Sequence, residues 1–304
     1  MSVRLPRASD SDVMRSTAAD TRMRTGRASA SGKTKTAVPA LFSDWKKSVL
    51  DATARDAARA ELWPEVEQAL ARAQAHKGTL LEDHEAEKVA DAFFDSHAPR
   101  VDQLHKKHTA TFGHSTQQKD TVIARAVDDA RPHIAQRRDP FTPIAHNDPQ
   151  ARAREVVLWE NADAMVLVDL FVKHPKALVV PKAPVSFPCD APAGMLEDLA
   201  RIAAHVSDAF MAAAGAKKPA GIWVNPPQDL TVKQLHVHVM PDLPAWLDLL
   251  PALDKNVDLS GLGLAGGRRP RAVDLARDAQ ARPAMNTVFA ELSAAIERTL
   301  GPST

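Results

Sequence analysis

Cysteine is nearly absent from this chain: Cys189 is the only one among 304 residues. A lone cysteine excludes an intramolecular disulfide and any zinc site built on several thiolates. Flanked by Pro188 and Asp190, it has no basic neighbour in sequence to activate its thiol, and it reads as inert. Long apolar runs are missing as well. No stretch approaches the roughly 18–20 residues needed to cross a bilayer, so no membrane span is expected. Nor does one charge dominate: 39 basic residues stand against 38 acidic ones, and the chain as a whole is not an obvious polyanion binder. The first residues lack the apolar core of a secretory signal. A cytoplasmic location fits these absences. Export or organelle targeting through a basic N-terminal tail is the alternative.

What is present is unevenly distributed. Residues 1–38 hold eight basic residues against three acidic ones, leaving the tail at +5, and are otherwise rich in Ser, Thr and Ala. Such a segment buries too little to repay its ordering entropy, so a disordered tail is expected, able at most to serve as an address or a loose nucleic-acid contact. Residues 39–138 read as an all-helical region. Phe42, Trp45, Val49 and Leu50 recur at helical spacing behind a capping Ser43, and Leu62, Val66 and Leu70 follow. Pro64, Pro99 and Pro132 are expected to punctuate the helices. His105 and His108 lie one turn apart, with Lys106 and Lys107 between them. Two exposed imidazoles beside two lysines make a solvated face, short of the three or four converging ligands a metal needs; no metal site is expected.

Residues 139–154 hold three prolines and read as a linker. Beyond it the hydrophobic period changes from helical to strand-like. Val156–Trp159, a turn at Glu160–Asp163 and Met165–Val168 make a hairpin, and Leu178–Val180 makes a third strand ended by Pro181. Met195, Leu199, Ile202, Val206 and Phe210 trace one helix face stopped near Gly215. Ile222–Val224 and Leu235–Met240 are two more strands. The order β-β-β-α-β-β over residues 155–255 implies an α+β domain around a mostly antiparallel sheet with packed helices. Trp246–Leu253 can form a short helix. Residues 256–304 add a loop, Gly-rich and basic at 260–272, and an amphipathic helix over 284–300.

The segment that bears chemistry is Thr231-Val232-Lys233-Gln234-Leu235-His236-Val237-His238-Val239-Met240-Pro241. On a strand, side chains two apart share a face, so Gln234, His236, His238 and Met240 line one side and Leu235, Val237 and Val239 the other. Imidazole attacks phosphorus competently, and a second imidazole can bond a phosphate oxygen or move a proton.

This run resembles the histidine-triad superfamily motif, His-φ-His-φ-His-φ-φ, with His236 on its nucleophile position and His238 on its third histidine. The resemblance covers residues 155–255, extends upstream over some ninety residues and implies a histidine-triad-like fold. Asp169, ending the hairpin, matches an acidic residue that binds ribose hydroxyls. Pro175-Lys176-Ala177-Leu178-Val179-Val180-Pro181-Lys182 resembles the family's third strand. Asn225 matches an asparagine that orients phosphate, and Thr231 a hydroxyl near the leaving group. Two departures stand out: Gln234 replaces the first triad histidine, and Lys176 replaces the phosphate-side histidine. In the family a backbone carbonyl at the first triad position holds the nucleophile's Nδ1 proton, which a glutamine can supply equally well. Lys176 keeps a positive charge beside the phosphate.

The resemblance implies a nucleotide hydrolase. His236 and His238 would be catalytic, and Asp169, Lys176, Asn225, Thr231 and Gln234 substrate-binding; no metal or cofactor is involved, and a homodimer is expected. That reading requires both rings to face an open groove. The departures keep alternatives open: a nucleotide-binding or interaction protein without catalysis, or an enzyme acting on adenylated nucleic-acid ends or a CDP-lipid. In a further alternative the helical region carries the principal function.

Overall fold

The computed structural model describes residues 37–246, 248, 270–278 and 281–304, with backbone alone at 37–40. The expected tail up to residue 36, residues 256–269 of the loop with its Gly-rich part, and most of the short helix that begins at Trp246 lie outside the described residues. The chain divides into two compact units. One comprises Lys46–Arg131 with Pro226–Thr231. The other comprises residues 37–45, Pro132–Asn225 and the described residues from Val232 on.

The first unit is helical, as its periodicity indicates. Its elements are α1 (Ala37–Lys77, whose opening turns count with the other unit), α2 (Asp83–Ser96), α3 (Ala98–Phe112) and α4 (Thr116–Ala135). Leu62 and Val66 are fully buried and gather with Phe94, flanked by Trp63, Leu70, Phe93 and Leu104. Gly78, at φ 74°, ends α1 in the left-handed region that a side chain disfavours. At the start of α2, Glu82 N donates to Glu85 Oε2 at 2.9 Å.

The local signals mark helix ends only in part. Pro99 does sit at the start of α3, but Pro64 lies inside α1 and Pro132 inside α4. A mid-helix proline costs about 3 kcal/mol. At Pro64 the fully buried Leu62 and Val66 on either side offset that cost. Ser43 likewise lies within α1 and does not cap it.

The second unit carries the sheet: β1 (Val157–Glu160), β2 (Ala164–Val168), β3 (Ala177–Pro181), β4 (Gly221–Trp223) and β5 (Val237–Met240), in the order β1-β2-β3-β5-β4. All four pairings are antiparallel. This is the expected α+β class with a mostly antiparallel sheet and an all-helical N-terminal region. Helix α7 (Met195–Ala214) packs on β3 and β5 and ends at Gly215, at φ 68°. After α8 (Ala272–Arg277), helix α9 (Arg282–Leu300) packs on β1 and α7.

The expected linker is folded. It holds α5 (Phe141–Ala145) and α6 (Pro149–Arg152), and Phe141 and Ile144 pack on Met165, Leu167, Leu178 and Val180. Asp139 starts this turn: its Oδ1 accepts from Phe141 N at 3.2 Å and from Thr142 N at 3.0 Å.

Candidate functional site

The register of the sheet decides which side chains meet. Val157, Leu167, Leu178, His238 and Trp223 are successive cross-strand partners and so share one face. His236 lies two residues before His238 on that same face. Val237 and Val239 point the other way and are fully buried, on the strand against which α7 packs. The alternation read from the sequence therefore places the two imidazoles side by side. Their ring centroids are 4.6 Å apart, edge to face.

Where an open groove was expected, both rings are covered by described residues. His236 and His238 are each 5% exposed. Phe141 from α5 covers His236 at a centroid distance of 5.5 Å, and Trp223 from β4 stacks on His238 at 4.9 Å. Aromatic walls of this kind follow from the sheet: Trp223 is the cross-strand neighbour of His238, and α5 sits over the β2–β3 part of the same face. Neither wall could be identified from the motif. Trp223 read only as a strand residue, and Phe141 sits among prolines.

His236 Nδ1 lies 2.9 Å from the carbonyl oxygen of Gln234. A carbonyl can only accept, so Nδ1 carries the proton and Nε2 keeps its lone pair. Burial holds the His236 imidazole below its ordinary pKa, partly opposed by this hydrogen bond, and the nearby Lys176 charge adds to the lowering. His238 is held well below the ordinary value, first by burial and then by His236 and Lys176. Both rings are neutral at pH 7. Among the described residues, neither ring nitrogen of His238 has a hydrogen-bond partner.

The other residues singled out by the motif fall in different places. Gln234 is 2% exposed, and its Nε2 donates to the carbonyls of Pro181 and Ala183. The Thr142 hydroxyl, 2.6 Å from Asp139 Oδ2, lies 3.2 Å from Gln234 Oε1. Gln234 thus ties the start of β5 to the end of β3 and to α5. Lys176 Nζ meets Asp169 Oδ2 at 3.0 Å and lies 5.8 Å from the Trp223 ring centroid. Asp169 Oδ1 accepts from Phe171 N at 3.1 Å. Asn225 Oδ1 accepts from Trp223 Nε1 at 3.0 Å, while its carbonyl accepts from Trp45 Nε1 at 3.2 Å. Thr231 is exposed and groups with the helical unit. Cys189 is exposed, with its Sγ 3.9 Å from Asp190 Oδ1. No cluster of potential metal ligands occurs among the described residues.

One carboxyl close enough to Asp169 to feel its charge carried no sequence signal. This is Glu155, in the bend between α6 and β1, whose N–H donates to Arg152 O at 3.2 Å. Burial, with the Asp169 charge beside it, pushes the Glu155 carboxyl up to about 7.

No family model matches this chain, and no curated protein matches it. In structure it is similar to a zinc-bound histidine triad family protein from Mycobacterium smegmatis, at 18% identity over 51% of this chain and 92% of that one, with a TM-score of 0.34. It is also similar to a hypothetical histidine triad nucleotide-binding protein from Sulfolobus tokodaii, at 17% identity over 48% and 89%, with a TM-score of 0.35. A Hit-like protein involved in cell-cycle regulation from Bartonella henselae shares 16% identity over 51% and 94%, with a TM-score of 0.35. These are likenesses of fold over about half of this chain.

Proposed function

We propose that a nucleoside phosphate or nucleotide conjugate enters the sheet unit by displacing the Phe141 and Trp223 rings that cover the histidines, and is hydrolysed there at the α-phosphate. The observation that carries this reading is the 2.9 Å contact of His236 Nδ1 with the Gln234 carbonyl, which leaves Nε2 as a neutral nucleophile beside a second neutral imidazole. The Nε2 lone pair forms the N–P bond while the bond from phosphorus to the leaving group breaks. The leaving group departs with the electron pair and takes a proton from solvent. Water then attacks phosphorus, the N–P bond breaks, and its electrons return to Nε2 as the water's proton is released. His238, neutral, carries one N–H in either tautomer and can donate it to a phosphate oxygen. Lys176, paired with Asp169 at the edge of the site, supplies positive charge.

The test is mass spectrometry of the full chain after incubation with a mixed pool of nucleotide conjugates, including phosphoramidates, dinucleotides, a CDP-lipid and an adenylated oligonucleotide. A nucleotidyl adduct on His236, absent in His236→Asn, is the expected result. Turnover that survives in His236→Asn overturns the proposal.

A second reading rests on the 5% exposure of both histidines beneath Phe141 and Trp223. In it, the site binds nucleotides and does not turn them over. Saturable nucleotide binding with neither adduct nor product distinguishes this reading from the first.

A further inference from the structure

The proposed nucleophile stands just outside the ladder of its own strand. The β3 pairing ends at Val179 opposite Val237, and the β4 pairing ends at Trp223 opposite His238. Backbone bonds from Asp169 N to Lys176 O at 2.9 Å and from Lys182 N to Asp163 O at 2.7 Å turn the even-numbered positions along β3 toward β2. The backbone groups of Ala177, Val179 and Pro181 therefore face β5. One more rung in this register would run from Leu235 N to the Pro181 carbonyl, with a second bond returning from Pro181. Proline has no N–H to return it. Leu235 N turns instead to Val185 O at 2.6 Å. The Pro181 carbonyl accepts from the side chain of Gln234, whose Nε2 also donates to Ala183 O at 3.3 Å. A glutamine amide thus takes the place of a backbone N–H.

The consequence reaches the imidazole through that one residue. A carbonyl only accepts, so the orientation of the buried Gln234 amide is fixed and both of its hydrogens are committed. Its Oε1 lies 3.2 Å from the Thr142 hydroxyl. The side chain has no hydrogen left for a ligand. Its own backbone carbonyl is the group 2.9 Å from His236 Nδ1. Gln234 therefore joins the end of β3 by its side chain and holds the imidazole proton by its main chain. From Gln234 to His236 the chain lies beyond the last rung on both sides, so the amide takes over the work of aiming this peptide.

Resting on the nucleotide reading above, we propose that Gln234 is a positioning residue and not a ligand contact. Its amide replaces the rung that Pro181 forbids, and so aims the carbonyl that keeps the His236 proton on Nδ1. This departs from the substrate-binding role that the motif implies for it. Glutamine suits the place because one neutral group supplies two donors to two carbonyls, whereas lysine or arginine would bring a charge into a buried position.

The experiment reads the ring and the reaction separately, in the full-length chain and in its Gln234→Met and Gln234→Glu variants. Nitrogen NMR of isotope-labelled protein tells which ring nitrogen of His236 carries the proton. Steady-state kinetics with any conjugate that is turned over gives kcat and KM, and circular dichroism reports folding. In the original chain the proton is expected on Nδ1 alone. Gln234→Met keeps the length and removes the donors. It is expected to mix the two tautomers and to lower kcat by about a hundredfold, the cost of a small misplacement, with KM within about twofold. In Gln234→Glu the introduced carboxyl faces two carbonyls, and burial and donation both favour its neutral form. This variant is expected to match the original chain at about pH 6, and to behave as Gln234→Met at about pH 9, once the donor is lost.

A single Nδ1 tautomer that persists in Gln234→Met overturns the proposal. So does a kcat kept within about twofold, and a raised KM beside it would make the glutamine a ligand contact. Where Gln234→Met does not fold, Gln234→Glu decides. A tautomer unchanged between the two pH values, or unfolding as the carboxyl ionises, assigns the amide to stability alone and overturns the proposal. If no conjugate is turned over, the nucleotide reading fails, and the tautomer of His236 still decides the positioning role.

Discussion

In the helical unit, charged side chains meet in water. Arg100 reaches Glu65 at 2.7 Å, Lys107 reaches Glu61 at 3.2 Å and Lys46 reaches Asp120 at 2.8 Å, every partner more than a third exposed. In the sheet unit the polar groups are withdrawn from solvent: Ser207, Gln234, His236 and His238 are the buried polar residues among those described, and all four belong to it. Solvated pairs adjust to almost any neighbour, whereas buried imidazoles must have their tautomer, charge and orientation set by the fold. Histidines are plentiful in both units, and His97 of the helical unit also has its Nδ1 2.8 Å from a backbone carbonyl, that of Phe93. What sets His236 apart is burial beside a second imidazole.

This contrast can be broken by experiment. The largest effect is expected from exchanging one histidine for another as the target. His236→Ala should lower nucleotide turnover by about a thousandfold or more, while His108→Ala should change it less than about twofold. Comparable losses in steady-state assays of the two variants would erase the distinction. Next comes the helical core: Leu62→Ala removes a fully buried side chain and should cost about 2–5 kcal/mol in urea unfolding. A loss below about 1 kcal/mol would mean that this helical core is loosely packed.

A third expectation concerns pH, where the sheet unit should show two opposed trends. Below about pH 6.5 the unfolded histidines take protons that buried His236 and His238 resist. The unfolded state then binds more protons, and stability falls as pH drops. Glu155 acts the other way. Between about pH 4.5 and 7 the folded chain holds a proton that the unfolded chain has released, so stability falls as pH rises through that window. Glu155→Gln should therefore raise stability by about 1–2 kcal/mol at pH 8, allowing for solvent screening of a half-buried group, and leave it unchanged at pH 4. Thermal melts at the two values measure this; an equal gain at both would show that ionisation is not the cause. The smallest effect is at the surface. Arg100→Ala should cost less than about 1 kcal/mol and less still in high salt.

The sheet was legible because its determinants are local. Alternation in Leu235–Met240 places His236 and His238 together, and the apolar stripe from Met195 to Phe210 with Gly215 behind it marks α7. The helical region followed from Leu62, Val66 and Leu70, but its ends did not. At Pro64 burial on both sides outweighs a local breaker, and a serine inside a helix looks the same in sequence as one that caps it. The site was legible only along a single strand. Phe141 and Trp223 reach it through packing and pairing of distant segments, which no short motif encodes. The five residues of α5 are also too few to show a period. Gln234 was visible as a departure from a pattern, yet its bonds to Pro181 and Ala183 depend on where β3 ends.

Residues 236–239, His236 and the first three of β5, have two opposite obligations. Their valines fill the interior beneath α7, and their histidines line the other side. A slip of one residue against β3 would exchange the two sets, turning the imidazoles toward α7 and the valines onto the opposite face. Such a misthreaded chain would lose its hydrophobic layer at once and fail to fold. Assembly of the interior therefore proofreads the reactive surface: any copy stable enough to persist has its histidines on the correct side.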